Sequence, residues 1–337
     1  MEGGKEMKQV GNELFSQYDI SIKKFQYSRS NYYLDTKQGQ LLLRKTLIPK
    51  EQIMFVHEVT GQLMNKGFNE INKIYTTKKQ LPYGNYLDKI FILQTYDKMN
   101  EIDFTNVGEL KAIIEVLARF HVAATHIHSK VRSVEGVGFK NIYEYFQKRV
   151  TDGKRMKKKI SKMSQKTRFE ILFLEDYKVY EELQYKALEL VKPESAHRLI
   201  EKAKRNKTIL HNEFTYHAVG RLEDGNYKIS NLDNCTYSIQ LLDLSNVLTK
   251  IMQKNHWDIS LLDQLIESYT SIHHLDEEEI RILKAMLIFP EKYASICFKY
   301  VTSKHRNNYS MFDHKWENML VYKEEQLKTA YEIITHL

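Results

Sequence analysis

Along the first hundred residues the apolar positions change period several times. In NYYLDTKQGQLLLRKT, apolar runs flank Lys37, Gln38 and Gly39, which predicts a hairpin turning at those residues. In KEQIMFVHEVTGQLMNKGF, Ile53, Val56, Leu63 and Met64 recur at helical spacing and Gly67 supplies a stop, so a helix is expected. The short apolar run KIFILQTY reads as a buried strand. Together these predict a small sheet with one helix across it.

Beyond Tyr96 the period becomes that of helices. VGELKAIIEVLARFHVAATHIHSK puts Leu110, Ile113, Ile114, Leu117 and His121 at helical spacing. Helical patterning resumes at EILFLEDYKVYEELQYKALELV and again from about Ser260 to the end, with interruptions at Pro290 and in the polar stretch SKHRNNYSMFDHK. Between the helical blocks, HAVGRLEDGNYKISNL reads as two short strands around Asp224–Gly225, a dipeptide favoured in tight turns. The expected division is a β-rich lobe over residues 1–96 and a mostly helical lobe over 97–337, with a loop and hairpin embedded at 211–235.

Composition fits an ordered globular chain: 337 residues, 42% apolar, four Pro and thirteen Gly. The net charge of +8 suggests acidic surfaces as partners: nucleic acid, anionic polymer or acidic protein. Between Lys148 and Arg168, ten Lys or Arg face Asp152 alone. That run reads either as a solvated helical insertion between lobes or as a docking patch for an acidic partner. No aromatics interleave with its charges, which argues against sequence-specific nucleic-acid binding.

Cys235 and Cys297 are far apart, which argues against a disulfide framework or zinc site and suits a reducing compartment. Residues 1–18 hold no apolar signal-like stretch, and no run of about 18 apolar residues occurs, so the expectation is a soluble protein used without secretion. The spacings of His121, His126 and His128 do not form a metal pair, and adjacent His273 and His274 point apart on a helix.

The decisive segment runs from His211 to Leu248, HNEFTYHAVGRLEDGNYKISNLDNCTYSIQLLDLSNVL, with LARFH ahead of it. In order and spacing it resembles the aminoglycoside and choline phosphotransferases, built around an H-x-D-x-x-x-x-N loop, a hairpin and an I-D-[FW]-D/E strand end. His211, Glu213 and Ala218 fall in the loop, Asn231 at the strand end and Asp243 in LLDLSNVL. Within that family the chain resembles the CotS-type spore coat group, which includes the YutH and YsxE proteins. The group's pattern D-F-D-x-C-x-x-D-x-P-x-x-D-L falls on Asn231, Leu232, Asp233, Asn234, Cys235, Ser238, Gln240, Asp243 and Leu244. NYYLDTKQGQLLLR, MNKGF and FPEKYASICFKYV extend the resemblance over nearly the whole chain. It implies an α+β, two-lobed, protein-kinase-like fold with a small β-rich N-lobe and a large, mostly helical C-lobe.

Phosphoryl transfer asks for positioned Mg²⁺ ions and a carboxylate base. The resemblance puts the two metal ligands on Ala218, which has no ligand atom, and Asn231, which offers a neutral carbonyl. It puts the base on Glu213, where the extra methylene displaces the carboxylate by roughly 1 Å, an error that can cost about a hundredfold in rate. Asp233, returned to the face of Asn231 by strand alternation, and His217 are either substitute ligands or ordinary loop residues. His211 and Asp243 hold the family's loop-scaffold positions. Arg44 stands where the phosphate-positioning Lys is expected, with Lys45 beside it and Glu58 as candidate partner; all three could equally be surface charges. QYSRSNYYLDTKQG is no glycine-rich phosphate loop.

The resemblance thus implies a pseudokinase serving as a structural or assembly component of the bacterial spore coat, made in the mother-cell cytoplasm and deposited on the forespore. No cofactor is expected, and the partners would be other coat proteins or acidic coat polymer reached through Lys154–Lys166. Two alternatives stay open: an active Mg²⁺- and ATP-dependent phosphotransferase acting on a small molecule or saccharide, and a nucleotide-binding switch without catalysis.

Overall fold

The computed structural model describes residues 10–131, 138–215, 217–303 and 309–335. Part of the N-terminal segment, residues 1–9, and part of the polar stretch, residues 304–308, lie outside the described residues. By spatial contact the chain forms two compact units. One gathers the described residues of 1–103, 112–138 and 206–240; the other gathers 104–111, 139–205 and the described residues from 241 onward.

The first unit is built on a six-stranded antiparallel sheet. A helical turn at 10–15 (α1) precedes β1 (Ile22–Ser28), β2 (Asn31–Thr36) and β3 (Gly39–Thr46). The helix α2 (Lys50–Asn65) leads to β4 (Ile74–Tyr75), β5 (Gly84–Tyr86) and β6 (Lys89–Thr95), in sheet order β1-β2-β3-β6-β4 with β5 also on β6. The β2–β3 turn falls at Lys37 and Gln38, with Gly39 at φ 105°. Alternation sends Tyr32, Leu34, Leu41, Leu43, Phe91 and Leu93 into one core with Leu14 and Tyr18. Strand β6 also buries Ile92 and Gln94 on its other face, which is why its sequence reads as a continuous apolar run. Helix α2 ends in a Schellman motif: Phe68 N–H donates to Leu63 O and Gly67 N–H to Met64 O, with Gly67 at φ 87°.

The same unit contains the continuation of α3 (Val107–Ala123) and four short strands, β7 (Ile209–Leu210), β8 (Val219–Arg221), β9 (Tyr227–Ile229) and β10 (Thr236–Tyr237). Strands β8 and β9 form the expected hairpin, closed by a turn in which Gly225 N–H bonds Leu222 O and Leu222 N–H bonds Asn226 O. Gly225, at φ 88°, is the left-handed residue such a three-residue loop needs.

The second unit is helical: α4 (Ile142–Ser161), α5 (Arg168–Leu190), α6 (Pro193–Asn206), α7 (Leu241–Lys254), α8 (Ile259–Thr270), α9 (Glu277–Ile288), α10 (Glu291–Thr302), α11 (Tyr309–Leu320) and α12 (Lys323–Thr335). The expected interruption over SKHRNNYSMFDHK is therefore shorter than its polarity suggested, because Tyr309–Lys315 is helical and seats Phe312 and Trp316 in the core. Trp316 is fully buried against Phe169, Phe173, Tyr180 and Tyr293. Thr167 with Glu170 and Asp276 with Glu279 form capping boxes at the starts of α5 and α9.

The basic run on α4 is no loose insertion. Phe146, Val150, Gly153, Met156 and Ile160 bury one face of that helix against α5 and α10. Arg149 is buried with them, lying over Phe298 at 4.1 Å and paired with Asp152 at 3.3 Å. Among the described residues no helix is long and apolar enough to cross a membrane.

Candidate functional site

Arg44 lies near the end of β3, one position out of phase with the core-facing Leu41 and Leu43, so its side chain leaves the opposite face of the sheet. Its guanidinium meets Asp233 as a fork. Nη1 donates to Oδ2 at 2.9 Å and Nη2 to Oδ1 at 2.5 Å, while Nε donates to Gln94 Oε1 at 3.0 Å on β6. The two side chains are 17% and 11% exposed, so water screens the pair weakly. Arg suits this planar, two-point contact in a way Lys does not.

Helix α2 holds the same segment from another side. Gln52, buried on the apolar face of α2, donates through Nε2 to the carbonyls of Asp233 at 3.0 Å and Cys235 at 2.9 Å. Asn231 adopts φ 60°, a left-handed conformation that Asn tolerates better than most residues. Its Oδ1 accepts the Asp233 N–H at 3.2 Å, a local turn that sets the direction of Asp233. A cavity of about 10 Å³ lies among Arg44, Gln94, Asn231, Asp233 and their neighbours, room for about one water.

These residues do not fit a divalent cation. Mg²⁺ asks for hard oxygen ligands in near-octahedral array. Both oxygens of Asp233 lie on a guanidinium, Asn231 Oδ1 faces an N–H, and Ala218 has no ligand atom. A cation placed at Asp233 would also sit against the charge of Arg44. His217, the other candidate substitute, is exposed.

The loop leading into the hairpin is fixed by its frame. His211 is fully buried; its Nδ1 accepts the Glu213 N–H at 3.2 Å. Its ring stands edge-on to Phe120 and Phe214, at centroid distances of 6.0 and 5.7 Å. Asn212, at φ 73°, donates through Nδ2 to Asn234 O at 3.2 Å. That turn leaves the Glu213 side chain exposed. Ala218 is buried; its N–H bonds Thr215 O, and its carbonyl accepts the Ser230 N–H at 2.7 Å. Asp243 is buried in the first turn of α7, within the helical unit.

The expected pairing of Glu58 with Arg44 or Lys45 is not the one found. Glu58 lies six residues beyond Gln52, about 240° around α2, so it faces a different neighbour. Its Oε2 accepts from Ser129 Oγ at 2.6 Å and Lys130 N–H at 2.9 Å. One turn further, Gln62 exchanges two bonds with the His128 backbone, at 2.9 and 2.6 Å. Tyr237 Oη accepts the Ser129 N–H and donates to Ile127 O at 2.9 Å. Burial pushes that phenol above its ordinary value, against the opposing Ser129 N–H, so it stays a donor. Lys45 alternates away from Arg44 and is exposed.

The chain after β6 is fastened to the hairpin. Asn100 and Arg221 exchange backbone bonds of 2.8 and 3.0 Å, and Lys228 pairs with Asp97. A side chain at Gly220 would stand 2.6 Å from Met99 Cβ and 3.0 Å from Asn100 O, so the close approach requires glycine. Sequence reasoning missed Gln52, Tyr237, Gly220 and the Lys228–Asp97 pair. Gln52 alone carried a local signal, as a polar residue on the apolar stripe of a helix.

An antiparallel sheet crossed by α2, a buried-histidine loop and a following hairpin, joined to a mostly helical remainder, define a two-lobed α+β protein of the aminoglycoside phosphotransferase-like kinase fold. Solved structures with this fold include an aminoglycoside phosphotransferase from Alicyclobacillus acidocaldarius, with a TM-score of 0.80 and 16% identity over 97% of this chain and 96% of that one. Spectinomycin phosphotransferase APH(9)-Ia is another, with a TM-score of 0.57 and 15% identity over 97% and 98%. At such identities the likeness is one of fold.

The chain is also 22% identical over 341 aligned residues to Spore coat protein S of Bacillus subtilis (strain 168), covering 94% of this chain and 92% of that protein. Residues 11–332 match the family described as "Spore coat putative kinase YutH", and the chain belongs to that family.

Proposed function

We propose that this chain is a structural or assembly component of the bacterial spore coat that keeps the kinase fold without its phosphoryl transfer. The observation that carries the reading is the Arg44–Asp233 fork, backed by Gln52. The carboxylate nearest the metal position is mated to the cation nearest the phosphate position, so the two groups neutralise each other. Freeing Asp233 for a metal would leave Arg44 poorly solvated and unpaired, at a cost of about 3–5 kcal/mol.

Glu213 keeps a carboxylate at the base position, but a base without a metal-held phosphate has nothing to activate toward. His211, its ring held in place by neighbouring aromatics, and Asp243, buried in α7, act in this reading as frame rather than chemistry. Membership of a spore coat family and similarity to a Bacillus subtilis spore coat protein support the coat as its place of action. Synthesis in the mother-cell cytoplasm belongs to the same proposal.

A thermal-shift titration with ATP, with and without Mg²⁺, combined with a phosphate-release assay, tests it. The expected result is no Mg²⁺-dependent shift and no turnover above that of Glu213→Gln. A Mg²⁺-dependent shift with turnover lost in Glu213→Gln would establish an active phosphotransferase instead. A metal-independent shift without turnover would replace the cofactor-free component by a nucleotide-binding switch.

A further inference from the structure

The basic run on α4 divides sharply when its side chains are followed one by one. Arg149 is buried, Lys166 donates to Met163 O at 2.7 Å, and Arg168 pairs with Glu317 at 2.8 Å. Lys154, Lys157 and Lys159 lie over the rings of Tyr185, Tyr177 and Tyr300 at 5.2, 4.1 and 5.1 Å. Lys148, Arg155, Lys158 and Lys162 remain exposed, with no hydrogen-bond or ion-pair partner among the described residues.

These four share a line. Lys148, Arg155 and Lys162 recur every seven residues, about two helical turns, and Lys158 lies one turn from each of the last two. At about 1.5 Å per residue the stripe is roughly 21 Å long. Asp152, the acidic residue within this span, is buried and paired with Arg149 at 3.3 Å rather than with any of the four. The helix dipole accounts for cations in the last turn of α4 but not for Lys148 in its second turn, and like charges one turn apart weaken a helix.

Lys148 also lines an open groove of about 550 Å³ between α4 and α5, with Gln147, Val150, Thr151, Tyr185, Leu188 and, at its far end one turn before Lys148, the carboxylate of Glu144. Tyr185 is 39% exposed there. The stripe and groove are therefore continuous, and they offer two different chemistries.

We propose that this face docks an acidic polypeptide segment, whose carboxylates run along Lys148, Arg155, Lys158 and Lys162 while one apolar or aromatic side chain enters the groove beside Tyr185. Charge complementarity selects an acidic partner, and the Tyr185 ring with Leu188 and Val150, set in an otherwise polar groove, selects a polypeptide side chain over a bare polyanion. The stripe excludes Arg149 and the tethered Lys166 from contact, which narrows the surface relative to the run as a whole. The inference does not depend on whether the chain turns over ATP.

Fluorescence anisotropy on the full chain, with a labelled short poly-Glu peptide carrying one central Phe and its all-Glu counterpart, tests it. Lys148→Gln/Arg155→Gln/Lys158→Gln/Lys162→Gln should weaken the Phe-bearing peptide by about tenfold or more, and added salt should do the same. Tyr185→Ser should weaken that peptide and leave the all-Glu peptide unchanged. The same charge removed at exposed Lys23, Lys37, Lys79 and Lys89 should change affinity by less than about twofold. The arginine-substituted Lys148→Arg/Lys158→Arg/Lys162→Arg chain should bind like the original, which separates loss of charge from loss of fold. Equal weakening by the two glutamine sets would overturn the docking surface. Tighter binding of polyphosphate or DNA than of the Phe-bearing peptide, unaffected by Tyr185→Ser, would overturn the polypeptide assignment.

Discussion

The Arg44 site and the outer face of α4 treat charge in opposite ways. At Arg44, the candidate phosphate-positioning cation and Asp233, a candidate substitute ligand, are paired with each other in a shielded place. On α4, four cations stand in solvent with no partner among the described residues. The first arrangement compensates each buried charge with the other; the second leaves four charges open to solvent at a small cost to the helix. Under the functions proposed above, the paired charges belong to the frame of the fold and the exposed ones to a docking face.

The contrast can be broken most forcefully at Asp233. Asp233→Ala strands Arg44 and should cost about 3–5 kcal/mol in chemical denaturation, whereas Arg44→Met/Asp233→Leu should recover most of that loss. If Asp233→Ala were neutral, the pair would not be the clamp described. Gln52→Ala should cost about 1–3 kcal/mol, because two buried carbonyls lose their donor. Lys158→Gln should go the other way, stabilising α4 by up to about 0.5 kcal/mol as repulsion from Arg155 and Lys162 is relieved. Glu213→Gln should be the mildest, within about 0.5 kcal/mol of the parent in the same melts, since its side chain is exposed.

Much of the fold was legible because its signals are local. The β2–β3 turn, the Gly67 stop of α2, the buried run of β6 and the Asp224–Gly225 hairpin each follow from a few adjacent residues. The helix over Tyr309–Lys315 was not legible, since its polar face hid the two aromatic residues that anchor it. At the site, the sequence exposed what was missing at Ala218 and Asn231 but not what had replaced it. Arg44 and Asp233 are 189 residues apart, and only the closure of β3, α2 and segment 231–235 into one unit brings them together. The resemblance makes Glu58 a candidate partner of Arg44, as a glutamate on the helix after the strand, yet the helical angle between Gln52 and Glu58 gives the inward position to the glutamine. The basic run likewise showed its charge in sequence and hid its division into buried, tethered and unpartnered residues.

Arg44 and Asp233 are expected to stay with each other rather than engage a nucleotide and its metal. A crystal structure of the chain grown with ADP and excess Mg²⁺ tests it directly. The expected result is the fork between Arg44 and Asp233 intact, Asn231 Oδ1 still on the Asp233 N–H, and no metal at either residue. Asp233 turned away from Arg44 and ligating Mg²⁺ would contradict it.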